Sequence, residues 1–190
     1  MERVGFGGGC HWCTEGVFQA LRGVGQVDQG FVQSKPPADA WAEAVIVHFD
    51  PAVISLETLV EVHLRTHSAK GDYSPGGRYR SAIYVFAADQ RTAATRAIAA
   101  LSDETKTPPR TLVLPFIGFR PSDARFQNYY RNDPDRPFCR RYIDPKLDYI
   151  RRHFAGFAIA GPTADTAPPE PAVDVPDSVT HRTARRSSRR

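Results

Sequence analysis

The sequence predicts a single α+β domain built on an antiparallel or mixed sheet. Three observations carry that reading. Runs rich in β-branched and aromatic residues occur beside amphipathic helical patterns, without the strict strand–helix alternation of a parallel sheet. The 190 residues give room for one sizeable core. A hydrophobic share of 41% and a charged share of 24% are those of a globular chain. The domain is expected over residues 1–156. Residues 157–190 are expected to be a disordered tail, because beyond Gly156 Pro, Ala, Thr and charged residues follow one another with little periodicity.

Residues 3–8 read as a strand, and Cys13 to Arg22 as a helix closed by Gly23, with Val17, Phe18 and Leu21 at helical spacing. Val24 to Gln33 alternates weakly and reads as a second strand; Ser34 to Ala40, with Pro36-Pro37, is a loop. Glu43 to Phe49 is dense in β-branched residues and reads as a strand ended by Asp50-Pro51. Ser55 is placed to cap a helix whose inner face is Leu56, Leu59, Val60, His63 and Leu64. A Gly/Pro loop spans Gly71 to Gly77. Ser81 to Phe86 is a strand, Asp89 to Leu101 an alanine-rich helix, and Thr111 to Phe119 a strand interrupted at Pro115. Asp123 to Tyr130 reads as a short helix, and Pro145 to Phe154 as a last one with proline in its first turn.

The stretch that organises the chain is Gly7-Gly8-Gly9-Cys10-His11-Trp12-Cys13. The glycines allow a sharp turn and the close approach of another molecule. A cysteine just ahead of a helix meets the positive end of the helix dipole and free amides, which favour its thiolate. Cys10 is therefore the candidate nucleophile, and Cys13 lies within disulfide reach if the turn between them is helical. Two buried cysteines packing as small hydrophobes is the plainer alternative.

Three cysteines are too few for a disulfide scaffold and point to a reactive or metal-binding thiol in a reducing compartment. Met1-Glu2-Arg3 lacks the basic-then-apolar pattern of a secretion signal, so the expected location is cytoplasmic. No apolar stretch approaches the roughly 20 residues of a membrane span, and no membrane partner is expected. Much of the net charge of +4 comes from the arginines at 182, 185, 186, 189 and 190. Such a run reads as a solvated tail, and nucleic-acid binding is not expected. His63 and His67 are four residues apart on a helix, but no carboxylate completes a metal site at suitable spacing, so none is assigned.

Gly9-Cys10-His11-Trp12 before a helix, Ala42-Glu43-Ala44-Val45 on a strand, Asp50-Pro51 and a helix, then Tyr79-Arg80-Ser81-Ala82-Ile83-Tyr84, together resemble the A-type peptide methionine sulfoxide reductases. Gln127-Asn128-Tyr129-Tyr130, Pro137-Phe138-Cys139 and Pro145-Lys146-Leu147 resemble that family's C-terminal region. The resemblance covers about residues 3–155. It implies a ferredoxin-like split βαβ core and reduction of methionine S-sulfoxide, in proteins or as the free amino acid. It also implies thioredoxin as the usual electron donor; the protein is expected to be a monomer with no bound cofactor, drawing on thioredoxin or a dithiol.

Residue by residue, the resemblance makes Cys10 the nucleophile, Glu43 the general acid, Tyr79 a ligand of the sulfoxide oxygen, and Trp12 with His11 the wall for the methyl group. The chemistry is coherent: a sulfoxide sulfur becomes electrophilic once its oxygen is protonated or hydrogen-bonded, so a soft nucleophile and an acid are both needed. Attack leaves a sulfenic acid on Cys10, which a second thiol condenses into a disulfide. Cys139 stands where the family often carries its resolving cysteine; Cys13 is the alternative resolver or a relay. Taken alone, Glu43 also reads as an edge-strand charge, and Tyr79 and Trp12 as packed aromatics.

Three features depart from the family pattern. His11 stands where phenylalanine is usual. The segment between Gly30 and Glu43 is short and lacks the tyrosine that a longer glycine-rich loop contributes, a space that Trp41 is expected to fill. Ser74 stands where aspartate is usual, with Asp72 two residues earlier. Two other readings of the same residues are a thiol–disulfide oxidoreductase using Cys10-x-x-Cys13, and a non-enzymatic module in which Cys10, His11, Cys13 and Cys139 hold zinc.

Overall fold

The computed structural model describes residues 1–67, 74–105 and 110–159. Six strands form one sheet: β1 (Glu2–Gly7), β2 (Val24–Gln33), β3 (Ala42–Phe49), β4 (Ala82–Val85), β5 (Leu112–Pro115) and β6 (Gly118–Pro121), in the order β5-β4-β1-β3-β2-β6. The helices are α1 (His11–Gln19), α2 (Leu56–Thr66), α3 (Ala88–Thr105), α4 (Tyr129–Asn132) and α5 (Asp144–His153). All strand pairs are antiparallel except β4–β5. The central order β4-β1-β3-β2, with α1 between β1 and β2 and α2 between β3 and β4, is the expected ferredoxin-like split βαβ core.

Strand alternation sends side chains to two apolar clusters. Val45, Val47 and Phe49 of β3 join Val4, Phe6, Phe18, Leu21, Leu59 and Ile150 beneath the helices. Ala44 and Ile46 face the other way and pack with Val32, Ala82 and Tyr84. Phe6 and Phe18 stack at 4.5 Å, fixing α1 to β1. Ser55 caps α2 by accepting the Thr58 amide at 3.1 Å, as its position in sequence suggests.

Several boundaries differ from the sequence expectation. Helix α1 begins at His11, not Cys13, because Cys10 adopts extended backbone (φ −70°, ψ 122°) and its carbonyl accepts the Thr14 amide; Cys10 is the N-cap. The stretch 111–119 is two strands at opposite edges of the sheet. Proline at 115 ends β5, and Phe116 and Ile117 then donate to Val85 and Gln33, so the curled sheet brings its two edges together at this end. The region 123–130 is a 3-10 turn (Ala124–Phe126) followed by α4, separated by Asn128 in the left-handed region at φ 54°. A π-helical turn, Cys139–Ile143, leads into α5. Phe157 to Ile159, expected in the tail, hydrogen-bond back to the end of α1: Arg22 donates to Phe157, and Ile159 to Ala20. Residues 160–190, expected to be disordered, lie outside the described residues, as do Gly71, Asp72 and Tyr73 of the expected loop.

Candidate active site

The turn between β1 and α1 needs its glycines. Gly8 and Gly9 have φ of 147° and 82°, and a Cβ at Gly8 would lie 2.5 Å from the His67 ring. This turn delivers Cys10 to the N-terminus of α1. Its thiol is held below the ordinary range, first by the Cys13 thiol, which donates a hydrogen bond to it, against the opposing effect of burial, and further by the amides of Cys13 and Trp12. Cys13 is correspondingly pushed up and stays protonated.

Glu43, at the start of β3, faces the helices and is 5% exposed. Its Oε2 accepts the His11 amide at 3.4 Å and its Oε1 accepts Arg78 Nε at 2.9 Å, with Arg78 Nη2 at 2.9 Å. The Glu43 amide donates to the Arg78 carbonyl at 2.8 Å, so backbone and side chain both fasten the segment 78–79 to the strand. Next in sequence, the fully buried Arg80 donates to Tyr84 Oη at 2.7 Å, to the Val32 carbonyl at 3.3 Å and to the carbonyls of Pro75 and Ala40. Four acceptors hold a charge that would be costly to bury alone, and the same bonds pin the loop that carries Tyr79.

Cys10, His11, Trp12, Glu43 and Tyr79 line one cavity of about 690 Å³. These five of the residues singled out in the sequence thus meet around one space, whereas Cys13 and Cys139 do not line it. Trp12 lies flat on Tyr129 (4.3 Å, 5°) and meets Phe126 and Phe138 at 5.6 and 5.5 Å. His11 donates through Nδ1–H to the Gly30 carbonyl, 3.0 Å away, and stands edge-on to Phe31 at 5.5 Å. Burial lowers its pKa, and a neutral ring whose Nδ1–H donates to Gly30 fits this contact.

Phe31, Arg78, Arg120, Phe126 and Phe138 also line the cavity, and no local pattern in the sequence singles them out for it. Phe31, not Trp41, forms the wall beside His11: Trp41 is absent from the lining and packs against Arg120, 5.2 Å from its guanidinium carbon. The reason is register. Phe31 is paired with Glu43 on one side and with Arg120 on the other, so the three stand in one row on the helix-facing side of β3, β2 and β6. Ser74 accepts the Gly77 amide through its backbone carbonyl at 2.9 Å, and the Asp72 alternative lies outside the described residues.

On the far side of Cys10 a smaller cavity of about 110 Å³ is lined by Cys10, Cys13, His63, His67 and Lys146. Lys146 donates to the Thr66 carbonyl; burial lowers its pKa and the neighbouring thiols raise it. His63 bonds the Gly7 carbonyl at 3.1 Å and stacks on His67 at 4.2 Å, so the rings lie face to face. Cys13, Cys139, Ile143 and Leu147 form one buried cluster against which Cys10 packs, with Cys139 fully buried. Glu15, also fully buried, accepts the amides of Asn128 and Tyr129 at 2.7 and 2.9 Å and Gln29 Nε2 at 3.0 Å. It thereby ties α1 to the segment that stacks on Trp12.

The model of the peptide methionine sulfoxide reductase family matches residues 2–156. The chain is 31% identical over 161 residues to a peptide methionine sulfoxide reductase MsrA 1 of Rhodopirellula baltica, covering 77% of this chain and 84% of that one. It is 33% identical over 161 residues to a peptide methionine sulfoxide reductase MsrA of Thermus thermophilus, covering 77% and 92%. Among solved structures, reduced Mxr1 from Saccharomyces cerevisiae superposes with a TM-score of 0.60 at 18% identity, covering 73% of this chain and 88% of that one. Mxr1 in complex with Trx2 gives 0.53 at 18%, covering 67% and 84%. At these identities the structural likeness speaks for the fold, and the sequence matches speak for the family. The chain belongs to the peptide methionine sulfoxide reductases, a family of oxidoreductases.

Proposed function

We propose that the protein reduces the S epimer of methionine sulfoxide, with Cys10 as nucleophile and Glu43 as the acid for the sulfoxide oxygen. The observation that carries this is the convergence of Cys10, Glu43, Tyr79 and Trp12 on one cavity. The Cys10 thiolate attacks the sulfoxide sulfur while the oxygen receives a proton from Glu43, with Tyr79 beside it. Trp12, stacked on Tyr129, supplies the apolar face for the methyl group. Collapse releases methionine and leaves the oxygen on Cys10 as a sulfenic acid.

Cys13 already donates to the Cys10 sulfur, and it is our choice for the first resolving thiol: its sulfur attacks Cys10, water leaves, and a Cys10–Cys13 disulfide forms. Cys139, packed against Cys13, then attacks that sulfur and frees Cys10 as a thiol. A dithiol reductant, thioredoxin in the cytoplasm, returns the pair to thiols; the complex of the structurally similar Mxr1 with Trx2 favours such a donor.

The experiment is turnover with dithiothreitol and each epimer of methionine sulfoxide. Methionine should form from the S epimer and not from the R epimer. No methionine from the S epimer, with Cys10 intact and alkylatable, overturns the reading.

A further inference from the structure

We infer that Arg78 and Arg120 form a carboxylate-recognition rim on the substrate cavity, so that the favoured substrate is a methionine sulfoxide with a carboxylate beside it. This rests on the reductase reading above. Both arginines line the same cavity as Cys10. Both bear on one ring: the guanidinium carbons of Arg78 and Arg120 lie 5.6 and 5.2 Å from the centre of Phe31. Arg120 is further braced by Trp41 at 5.2 Å, and Arg78 by Tyr79 at 5.8 Å. Aromatic faces attract a guanidinium and orient its plane, yet leave its N–H edge free to meet an anion bidentately.

The surrounding charges leave room for that anion. Asp123, the other carboxylate of the lining, has Arg125 as its partner at 3.6 Å. Arg120 makes no ion pair among the described residues. Among those residues Arg78 is ion-paired only with Glu43, and only while Glu43 is ionised. The proposed reaction needs Glu43 in its acid form. Once Glu43 takes up a proton, the Arg78 guanidinium has lost its counter-ion, and a substrate carboxylate arriving at the rim can replace it. A neutral substrate offers no such exchange.

The carboxylate has two possible sources, the α-carboxylate of free or C-terminal methionine sulfoxide and the side chain of an adjacent Asp or Glu in an oxidised protein. The test compares kcat/KM for N-acetyl-methionine S-sulfoxide with that for its N-methylamide. A parallel arm compares blocked peptides carrying Glu or Gln next to the sulfoxide. A preference of about tenfold or more for the anionic member of either pair is expected, the magnitude of one charge-assisted contact. The pair that shows it identifies the source. The preference should shrink at high salt and in Arg120→Gln, which removes an exposed side chain, and in Arg78→Gln. Equal kcat/KM within both pairs, or a preference untouched by both substitutions, overturns the rim. If no member of either pair is reduced while Cys10 remains alkylatable, the reductase reading itself has failed.

Discussion

The backbone amide of His11 donates to Oε2 of Glu43 at 3.4 Å, so the helix that Cys10 caps also holds the carboxyl proposed as the acid. One helix N-terminus thus serves two groups: its amides at Trp12 and Cys13 face the Cys10 sulfur, and its amide at His11 faces the Glu43 carboxyl.

This arrangement predicts opposite effects of Glu43→Gln on two measurements. Turnover of the S-sulfoxide should fall by about 10²–10⁴-fold, the usual cost of losing a positioned acid. The Cys10 thiol should meanwhile become more acidic, because the Glu43 charge raises its pKa. Iodoacetamide alkylation followed against pH reads the second effect. A loss of turnover together with an upward shift of the thiol would contradict it.

Cys13 is the largest influence that lowers Cys10, so Cys13→Ala should move the alkylation midpoint of Cys10 upward, toward the ordinary thiol value of about 8.5. The sign is that of an acid depressed by a donor: the wild-type thiolate persists to lower pH, and removing the donor costs reactivity on the acid side first. In the same variant the sulfenic acid should accumulate after one turnover and be trapped by dimedone. Prompt loss of the sulfenic acid through Cys139 would show that Cys13 is bypassed.

Lys146 stands behind the two thiols in the small cavity, and its charge lowers the pKa of Cys13. Lys146→Met should therefore slow the condensation of Cys13 with the sulfenic acid by about tenfold, as a weaker thiolate supply to the exchange step. Single-turnover release of methionine should be affected less than disulfide formation, which is followed by loss of free thiols. Equal slowing of both would assign Lys146 to packing alone.

Glu15 accepts three hydrogen bonds in a fully buried position, and burial raises its pKa. A carboxyl raised by folding contributes stability that is present below its unfolded value and is lost as pH rises through its raised folded value. Urea midpoints of wild type and Glu15→Gln should therefore differ in their pH dependence, with the wild type falling more steeply on the rise from about pH 4 to neutrality. Glu15→Leu, which leaves three donors without their acceptor, should cost about 3 kcal/mol and loosen the Trp12–Tyr129 stack, visible in tryptophan fluorescence. Parallel pH curves for wild type and Glu15→Gln would remove the linkage.

The sequence discloses what local chemistry controls. The β-branched run in Glu43–Phe49, the Ser55 cap and the glycines before Cys10 each declare their conformation within a few residues. The cavity wall stays hidden because it depends on pairing between strands far apart in the chain: nothing near Phe31 announces that Glu43 and Arg120 will flank it. The start of α1 is displaced from its expected place because a cysteine is not a residue expected to cap a helix, and only the extended backbone at Cys10 reveals it. The stretch around Pro115 reads as one interrupted strand because its residues favour extension on both sides of the proline. A curl in the sheet, which no local pattern encodes, sends the halves to different neighbours.

The full burial of Cys139 among Ile143, Leu147 and Phe138 has a consequence for the life of the protein between turnovers. In the proposed cycle an oxidising equivalent therefore reaches Cys139 through Cys13 and not directly from solvent, because Cys139 has no exposed surface. On that proposal the terminal thiol is spared while Cys10 waits between turnovers, and a protein reductant would reach its disulfide only once the residues packed over Cys139 give way.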